Sequence, residues 1–224
     1  MAVSAISRLP ALLQRVTLRQ LAWLAFTATL VTAGLITYGA WVRVSASGLG
    51  CPHWPLCTDA SQNGKAALIE SGHRVLATLD VVLVYATALL AWFKRREAAG
   101  PFVLLLVAAV LIIAQAVLGG VTVLLDLPGF VRLAHLALAM TVLGVLGAAT
   151  SLLWLSGAGR LSSTPPSPKL LLLALAGAQL LVGAIAVKTE LPGALRVLHL
   201  GLAALVWWTL VAFWVAAAAT PRRS

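Results

Sequence analysis

The chain has 224 residues, 61% of them hydrophobic and only 10% charged, with a mean hydropathy of +1.01. That composition excludes an ordinary soluble domain and describes a polytopic membrane protein. The net charge of +10 invites a nucleic-acid reading, but the basic residues sit at the ends of apolar stretches and no polar segment is long enough to fold alone, so lipid is the expected surrounding and no nucleic acid is.

Six stretches reach the roughly 20 apolar residues that a helical span needs. In chain order they are Leu21–Val42, Ala67–Phe93, Pro101–Leu125, Val131–Leu155, Leu170–Val187 and Ala194–Ala217. The first is too long for a signal peptide and is read as a retained helix. The expected fold is all-α, a single integral membrane domain over residues 1–224. It divides into a four-helix bundle at 21–155, with an outer loop at 43–66, and a C-terminal hairpin at 170–217. The other connections are short: Lys94–Gly100 is a turn, and Ser156–Lys169 is a Ser/Pro-rich loop.

Charge sets the expected orientation. Arg8, Arg15, Arg19, Lys94, Arg95, Arg96, Arg160, Lys169, Arg222 and Arg223 fall on one side with a single acid, Glu97. Arg43, Lys65, Arg74, Arg132, Lys188 and Arg196 fall on the other, among Asp59, Glu70, Asp126 and Glu190. The positive-inside rule then places both termini in the cytoplasm.

The chain repeats itself. Ile113–Ala139 aligns without gaps on Gly177–Ala203, with twelve of 27 positions identical. The shared residues include Gln115/Gln179, Gly119/Gly183, the Leu127-Pro128-Gly129 and Leu191-Pro192-Gly193 turns, Arg132/Arg196 and His135/His199. Each copy is a helical hairpin of the same topology, so the hairpin at 170–217 repeats the one at 101–155 in parallel. Duplication that merely kept packing residues would not need the paired Arg and His.

His73, His135 and His199 each lie one to two turns inside the start of an apolar span, on helices that enter from the same side. Imidazole within a membrane is costly and usually functional. Three in one layer point to heme iron, for which imidazole is the usual protein ligand. The bland alternative for each is a hydrogen bond to a neighbouring helix. Arg132 and Arg196, one turn outward of His135 and His199, are placed to receive heme propionates; Arg74 follows His73 directly and is a third candidate for cofactor binding.

Glu70 and His73 share one helix face, one turn apart. A carboxylate there suits a proton-handling or positioning role beside the imidazole. It also suits a plain interfacial ion pair with Arg74 or Lys65. Cys51 and Cys57 are spaced to close a small disulfide, structural or reversibly redox-active. A zinc site using His53 lacks a fourth ligand. Asp80, two turns below His73, serves either a proton pathway or a hydrogen bond to a neighbouring Ser, Thr or Tyr. Gln115 and Gln179 read as interhelical hydrogen-bonding residues. Trp23, Trp41, Trp92 and Trp154 read as interface anchors.

The run Gly39-x-x-x-Arg43, then Ser47-Gly48-Leu49-x-Cys51-Pro52-x-Trp54-Pro55-x-Cys57, then Glu70-x-x-His73-Arg74 resembles the heme A synthase family. The resemblance covers the first four helices closely, with His135 at the fourth-helix histidine. It implies oxidation of the ring methyl at carbon 8 of heme O to a formyl group, for cytochrome oxidase. It implies that His73 and His135 flank the substrate heme, that Glu70 is catalytic, and that Cys51 and Cys57 are the family's cysteine pair. A resident heme b in the second half is also implied, ligated by two further histidines. The chain departs from the pattern in showing six spans where the family is described with eight. Its last two resemble the family's last two, so His199 matches the final histidine and has no evident axial partner. His53 stands where the family often has Asp.

The expected setting is the plasma membrane of a prokaryote, with the active site near the outer face. The expected partners are heme O, heme O synthase as its source, and an electron-transfer partner; a homo-oligomer is compatible with the sequence. Two other function classes stay open: a non-catalytic heme-binding or electron-transfer protein, and a transporter, where parallel repeats also occur.

Overall fold

The computed structural model describes residues 15–57, 64–157 and 168–219. Arg8, Asp59, Arg160, Arg222 and Arg223, which entered the orientation argument, lie outside the described residues, as does most of the Ser/Pro-rich loop.

Six helices are described: α1 (Leu18–Val44), α2 (Gly64–Phe93), α3 (Ala99–Leu124), α4 (Gly129–Gly157), α5 (Pro168–Lys188) and α6 (Gly193–Ala219). Among the described residues there is no strand. All six are long and apolar enough to cross a membrane. Helix α1 starts three residues earlier than hydropathy predicts because Thr17 caps it. The Thr17 hydroxyl accepts from the Gln20 backbone N–H, and Gln20 Oε1 accepts from the Thr17 N–H. That reciprocal pair satisfies two amides that the helix start leaves open. Helix α2 begins at Gly64, inside the stretch expected as loop, and carries the polar Lys65 beyond the apolar span.

Helices α1 to α4 form a ring in which each packs on the next and α4 closes on α1. Among the described residues, α1–α3 and α2–α4 do not approach closely across the ring. Helix α6 lies against α1 and α4, while α5 packs on α6 alone. Only 6% of the apolar window of α5 is buried, against 44% in α1 and α4.

The apolar core occupies the end of the ring away from the 45–57 loop. Leu21, Ala25 and Ala28 of α1 meet Val84 and Ala88 of α2, Leu105 and Ala108 of α3, and Leu146 and Leu153 of α4. Small residues dominate α1, which lets its neighbours come close, as membrane helices do. Two polar pairs cross this region. The hydroxyls of Thr29 and Thr150 are 2.9 Å apart, and Thr32 donates to Asp80 Oδ2 at 2.9 Å. Of the two roles left open for Asp80, the hydrogen bond to a neighbouring hydroxyl is therefore present.

The hairpin of α5 and α6 is joined to the ring at glycines. The indole of Trp207 rests on Gly144, where an added Cβ would meet its Nε1 at 3.0 Å, and this Nε1 donates to the Met140 carbonyl at 2.9 Å. Trp208 rests on Gly147, with an added Cβ only 2.7 Å from its Cδ1. Gly147→Val should therefore separate α4 from α6 and cost about 1–3 kcal/mol, the usual range for overpacking. A thermal melt in detergent, with Gly177→Val as the control in open space, reads this.

Candidate heme site

The two Leu-Pro-Gly turns are built alike. Asp126 and Leu127 have φ of 55° and 60°, and Glu190 and Leu191 both have 59°. Leu127 N–H donates to the Thr122 carbonyl and Leu191 N–H to that of Ala186, at equivalent positions. Left-handed backbone costs a residue with a Cβ about 1–2 kcal/mol, and it is adopted twice at matching places. The result is a fixed register between the rising and falling helix of each hairpin.

That register brings His135 onto Gly119 and Gln115, and His199 onto Gly183 and Gln179. An added Cβ at Gly119 would lie 3.1 Å from His135 Cε1, and one at Gly183 would lie 3.0 Å from His199 Cε1. Gln115 Nε2 donates to His135 Nε2 at 3.4 Å, and Gln179 Nε2 to His199 Nε2 at 3.2 Å. The interhelical role expected of the two glutamines is thus observed, and their partners are the histidines of the layer.

His73 is seated differently. Its ring stacks on Tyr38 with centroids 5.7 Å apart and planes 2° from parallel. Tyr38 is held by its hydroxyl, which donates to the Ile69 carbonyl at 3.1 Å. Gly39 sits at the imidazole edge, 3.5 Å from Cε1 to an added Cβ. Sequence reasoning missed Tyr38 as a site residue; its place directly before Gly39 of the motif was the available signal. His73 on α2 and His135 on α4 belong to opposite members of the ring, within electrostatic reach of each other.

In all three histidines Nδ1 is buried without a hydrogen-bond partner, as are the Oε1 atoms of Gln115 and Gln179. Buried polar atoms are rarely left this way. Among the described residues no three His, Cys, Asp or Glu gather where they could hold a bare metal ion. A metal that brings its own macrocycle needs only one or two imidazoles, and these residues fit that requirement.

Glu70 is buried at 5% exposure, and its Oε1 accepts from Arg74 Nε at 3.1 Å. The ion pair anticipated as the plain alternative is present, with Arg74 and not Lys65 as partner. Arg74 does more than this. Its Nη1 donates to the His53 carbonyl at 2.5 Å and its Nη2 to the Cys51 carbonyl at 2.7 Å. Every nitrogen of its guanidinium is engaged within the protein, which places it as a clamp on the loop. Arg132 and Arg196 are exposed and, among the described residues, join no ion pair.

Cys51 and Cys57 form a disulfide. The loop they close is held at three further points: by Arg74, by Trp54 lying on Gly120 of α3, and by Gly48 against Leu127. It therefore roofs the end of the ring nearest the histidines. A groove of ≈ 450 Å³ opens beside it, lined by Trp41, Ser45, Ser47, Lys65, Ala66 and Ile69.

Residues 58–152 match a family described as cytochrome oxidase assembly protein. The chain is also similar to heme A synthases from three bacteria. It is 43% identical to that of Symbiobacterium thermophilum over 75 residues, 32% of this chain and 23% of the relative. It is 32% identical to that of Bacillus pumilus over 104 residues, covering 45% and 34%. It is 32% identical to that of Staphylococcus carnosus over 110 residues, covering 47% and 36%. Over these stretches, which make up less than half of the chain, it is similar to the heme A synthase family. The matched stretches span about a quarter to a third of these relatives' lengths. No solved structure matches. The family match contains Glu70, His73, Arg74, Gln115, Arg132 and His135; Cys51, Cys57 and His199 lie outside it.

Two outcomes follow from this geometry. Arg74→Ala should release the loop, raising amide hydrogen exchange at residues 48–57, whereas Arg132→Ala should leave it unchanged. Gly119→Ala should press on His135 and lower the melting temperature in detergent, while Gly39→Ala, at ordinary contact distance from His73, should be tolerated.

Proposed function

We propose that this protein is a heme A synthase that oxidises the carbon-8 methyl of heme O to a formyl group for cytochrome oxidase assembly. One observation carries the reading. His73 and His135 belong to opposite helices of the ring, each imidazole has a buried Nδ1 without a hydrogen-bond partner, and the buried Glu70 stands one turn from His73. The specific motif around Glu70 and the curated relatives named heme A synthase agree with it.

In this reading His73 and His135 hold the substrate heme through its iron, and Tyr38 and Gln115 keep the two rings in place. Converting a methyl to a formyl group with water as the oxygen source balances as R–CH3 + H2O → R–CHO + 4 e− + 4 H+, so the site must admit one water, release protons and pass electrons to an acceptor. Glu70 is the group that receives a proton there: Arg74 occupies its Oε1, and among the described residues Oε2 makes no hydrogen bond. The disulfide loop, clamped by Arg74, covers the reacting face. Arg132 and Arg196 offer their guanidiniums to propionates or to lipid phosphate. His199 would hold a resident heme b, which supplies one-electron redox chemistry when bound. The electrons leave through a transfer partner. The active site lies near the outer face of a prokaryotic plasma membrane, where heme O arrives from heme O synthase through the lipid.

A second reading, a heme-binding or electron-transfer protein without turnover, is favoured by the Glu70–Arg74 pair, which ties the carboxylate to a structural clamp. Co-expression with a source of heme O, followed by heme extraction, separates the two. Heme A or a hydroxylated intermediate is expected; bound heme with neither product would establish the second reading instead. Glu70→Gln should keep the bound heme and lower product about 100-fold or more, the contribution of a positioned acid or base. His73→Ala and His135→Ala should lose the substrate heme itself.

A further inference from the structure

Asp80 has no part in the proposed oxidation, yet it is the one acid among the described residues that lies mid-span. Glu97, Asp126 and Glu190 stand in turns, and Glu70 stands in the second turn of α2. Asp80 is the seventeenth of the thirty residues of α2 and is 1% exposed. It continues the stripe of Glu70 and His73: seven residues past His73 is two turns, about 10 Å deeper on nearly the same face. An ionisable group at that depth points to a function.

Its surroundings decide its charge. Among the described residues Asp80 joins no ion pair. Helix α2 packs on α1 and α3. Helix α3 has no titratable residue, and α1 has none between Arg19 and Tyr38. On α2 itself the nearest are His73 and Tyr85. As a carboxylate, Asp80 would have one donor, the Thr32 hydroxyl at 2.9 Å from Oδ2, and none at Oδ1, which is buried without a partner. That hydroxyl has a single proton, and the Ala28 carbonyl lies at the same 2.9 Å. A charge so poorly supplied is expensive away from water. A proton on Asp80 reverses the bond and resolves the count: Oδ2–H donates to Thr32, and Thr32 donates to Ala28.

A link between helices does not need an acid. One turn inward on α1, two hydroxyls do the same job: Thr29 and Thr150 are 2.9 Å apart, and Thr29 donates to the Ala25 carbonyl. A carboxyl adds a proton that can leave and return, and an oxygen, Oδ1, that no group of the protein occupies. We propose that Asp80 is a proton-exchanging site within the ring, held in its acid form as a donor to Thr32, with Oδ1 as its open atom. The exchange balances as acid to carboxylate plus a proton taken by water, and back. The site does not depend on the identity of the substrate; an oxidation that frees protons in the ring gives it a use.

Infrared spectroscopy of the full-length protein in detergent tests this, with no heme required. A protonated carboxyl absorbs apart from a carboxylate, and 13C-labelled aspartate marks the bands of Asp59, Asp80 and Asp126 alone. At neutral pH the wild type should show one label-sensitive acid band. It should vanish in Asp80→Asn and move to higher frequency in Thr32→Val, which removes the acceptor of its proton. Transfer to heavy water should shift the band to lower frequency while the protein stays folded. A folded wild type without an acid band, or a band that survives in Asp80→Asn, would overturn the proposal. A band that heavy water does not shift would overturn the exchange and leave Thr32 and Asp80 as a fixed link between helices. None of these results touches the heme A synthase reading, and a wild type that makes no heme A leaves every one of them standing.

Discussion

An imidazole can be buried between two membrane helices only where the facing helix makes room for it, and this requirement organises the whole layer. Each of the three histidines meets a glycine on an adjoining helix, through the same ring carbon: His73 at Gly39, His135 at Gly119 and His199 at Gly183. At Gly119 and Gly183 a methyl group would already crowd the ring. Close helix approach brings packing energy that lipid cannot match. It also strips water from the ring nitrogens, and a buried polar atom without a partner costs about 1–3 kcal/mol. Three such atoms are kept in one layer. The protein retains them at a cost, which ordinary packing does not require.

The glycine seat works only if the two helices of a hairpin are in register, and the register is set at the turn. Two consecutive residues with a Cβ adopt left-handed backbone before each Pro-Gly, and the proline then starts the descending helix with its φ already suitable. A helix advances about 1.5 Å per residue, so a slip of a single residue would rotate the imidazole away from its glutamine and glycine. The strained turn and the tight seat support each other. The turn also reaches the disulfide loop, since Leu127 packs on Gly48, and so couples the seat of His135 to the roof above it.

Much of this was legible in the sequence because it is local. Hydropathy locates six spans, and a spacing of three puts Glu70 and His73 on one face. The repeat singles out Gln115, Gly119, Arg132 and His135 as a set before any contact is known. What could not be read was tertiary. Nothing in the sequence says that Arg74, beside the motif histidine, turns its guanidinium to the carbonyls of Cys51 and His53. Its composition is that of a membrane-surface arginine like Arg132; only the path of the loop distinguishes them. Tyr38 was missed for the same reason, since stacking on His73 depends on how α1 crosses α2. The early start of α2 was missed because Gly64 and Lys65 read as loop by composition, although a helix continues past its apolar span wherever packing allows.

The two halves differ in what surrounds an identical seat. His135 and His199 have the same glutamine, the same glycine and the same turn, yet His135 lies inside a ring of four helices with His73 opposite, and His199 lies on a hairpin whose outer helix has a single neighbour. The seat is therefore a property of the hairpin, carried along when the hairpin was duplicated, while the pairing of imidazoles is a property of the ring. A seat of this kind can be copied with its hairpin; the surroundings supplied by the helices opposite cannot. Glu70, the disulfide loop and Arg74 all lie on the ring's side, and among the described residues no second disulfide or Glu–Arg pair lies beside His199. Any chemistry that needs a carboxylate beside an imidazole therefore has its groups, among the described residues, in the first half of the chain.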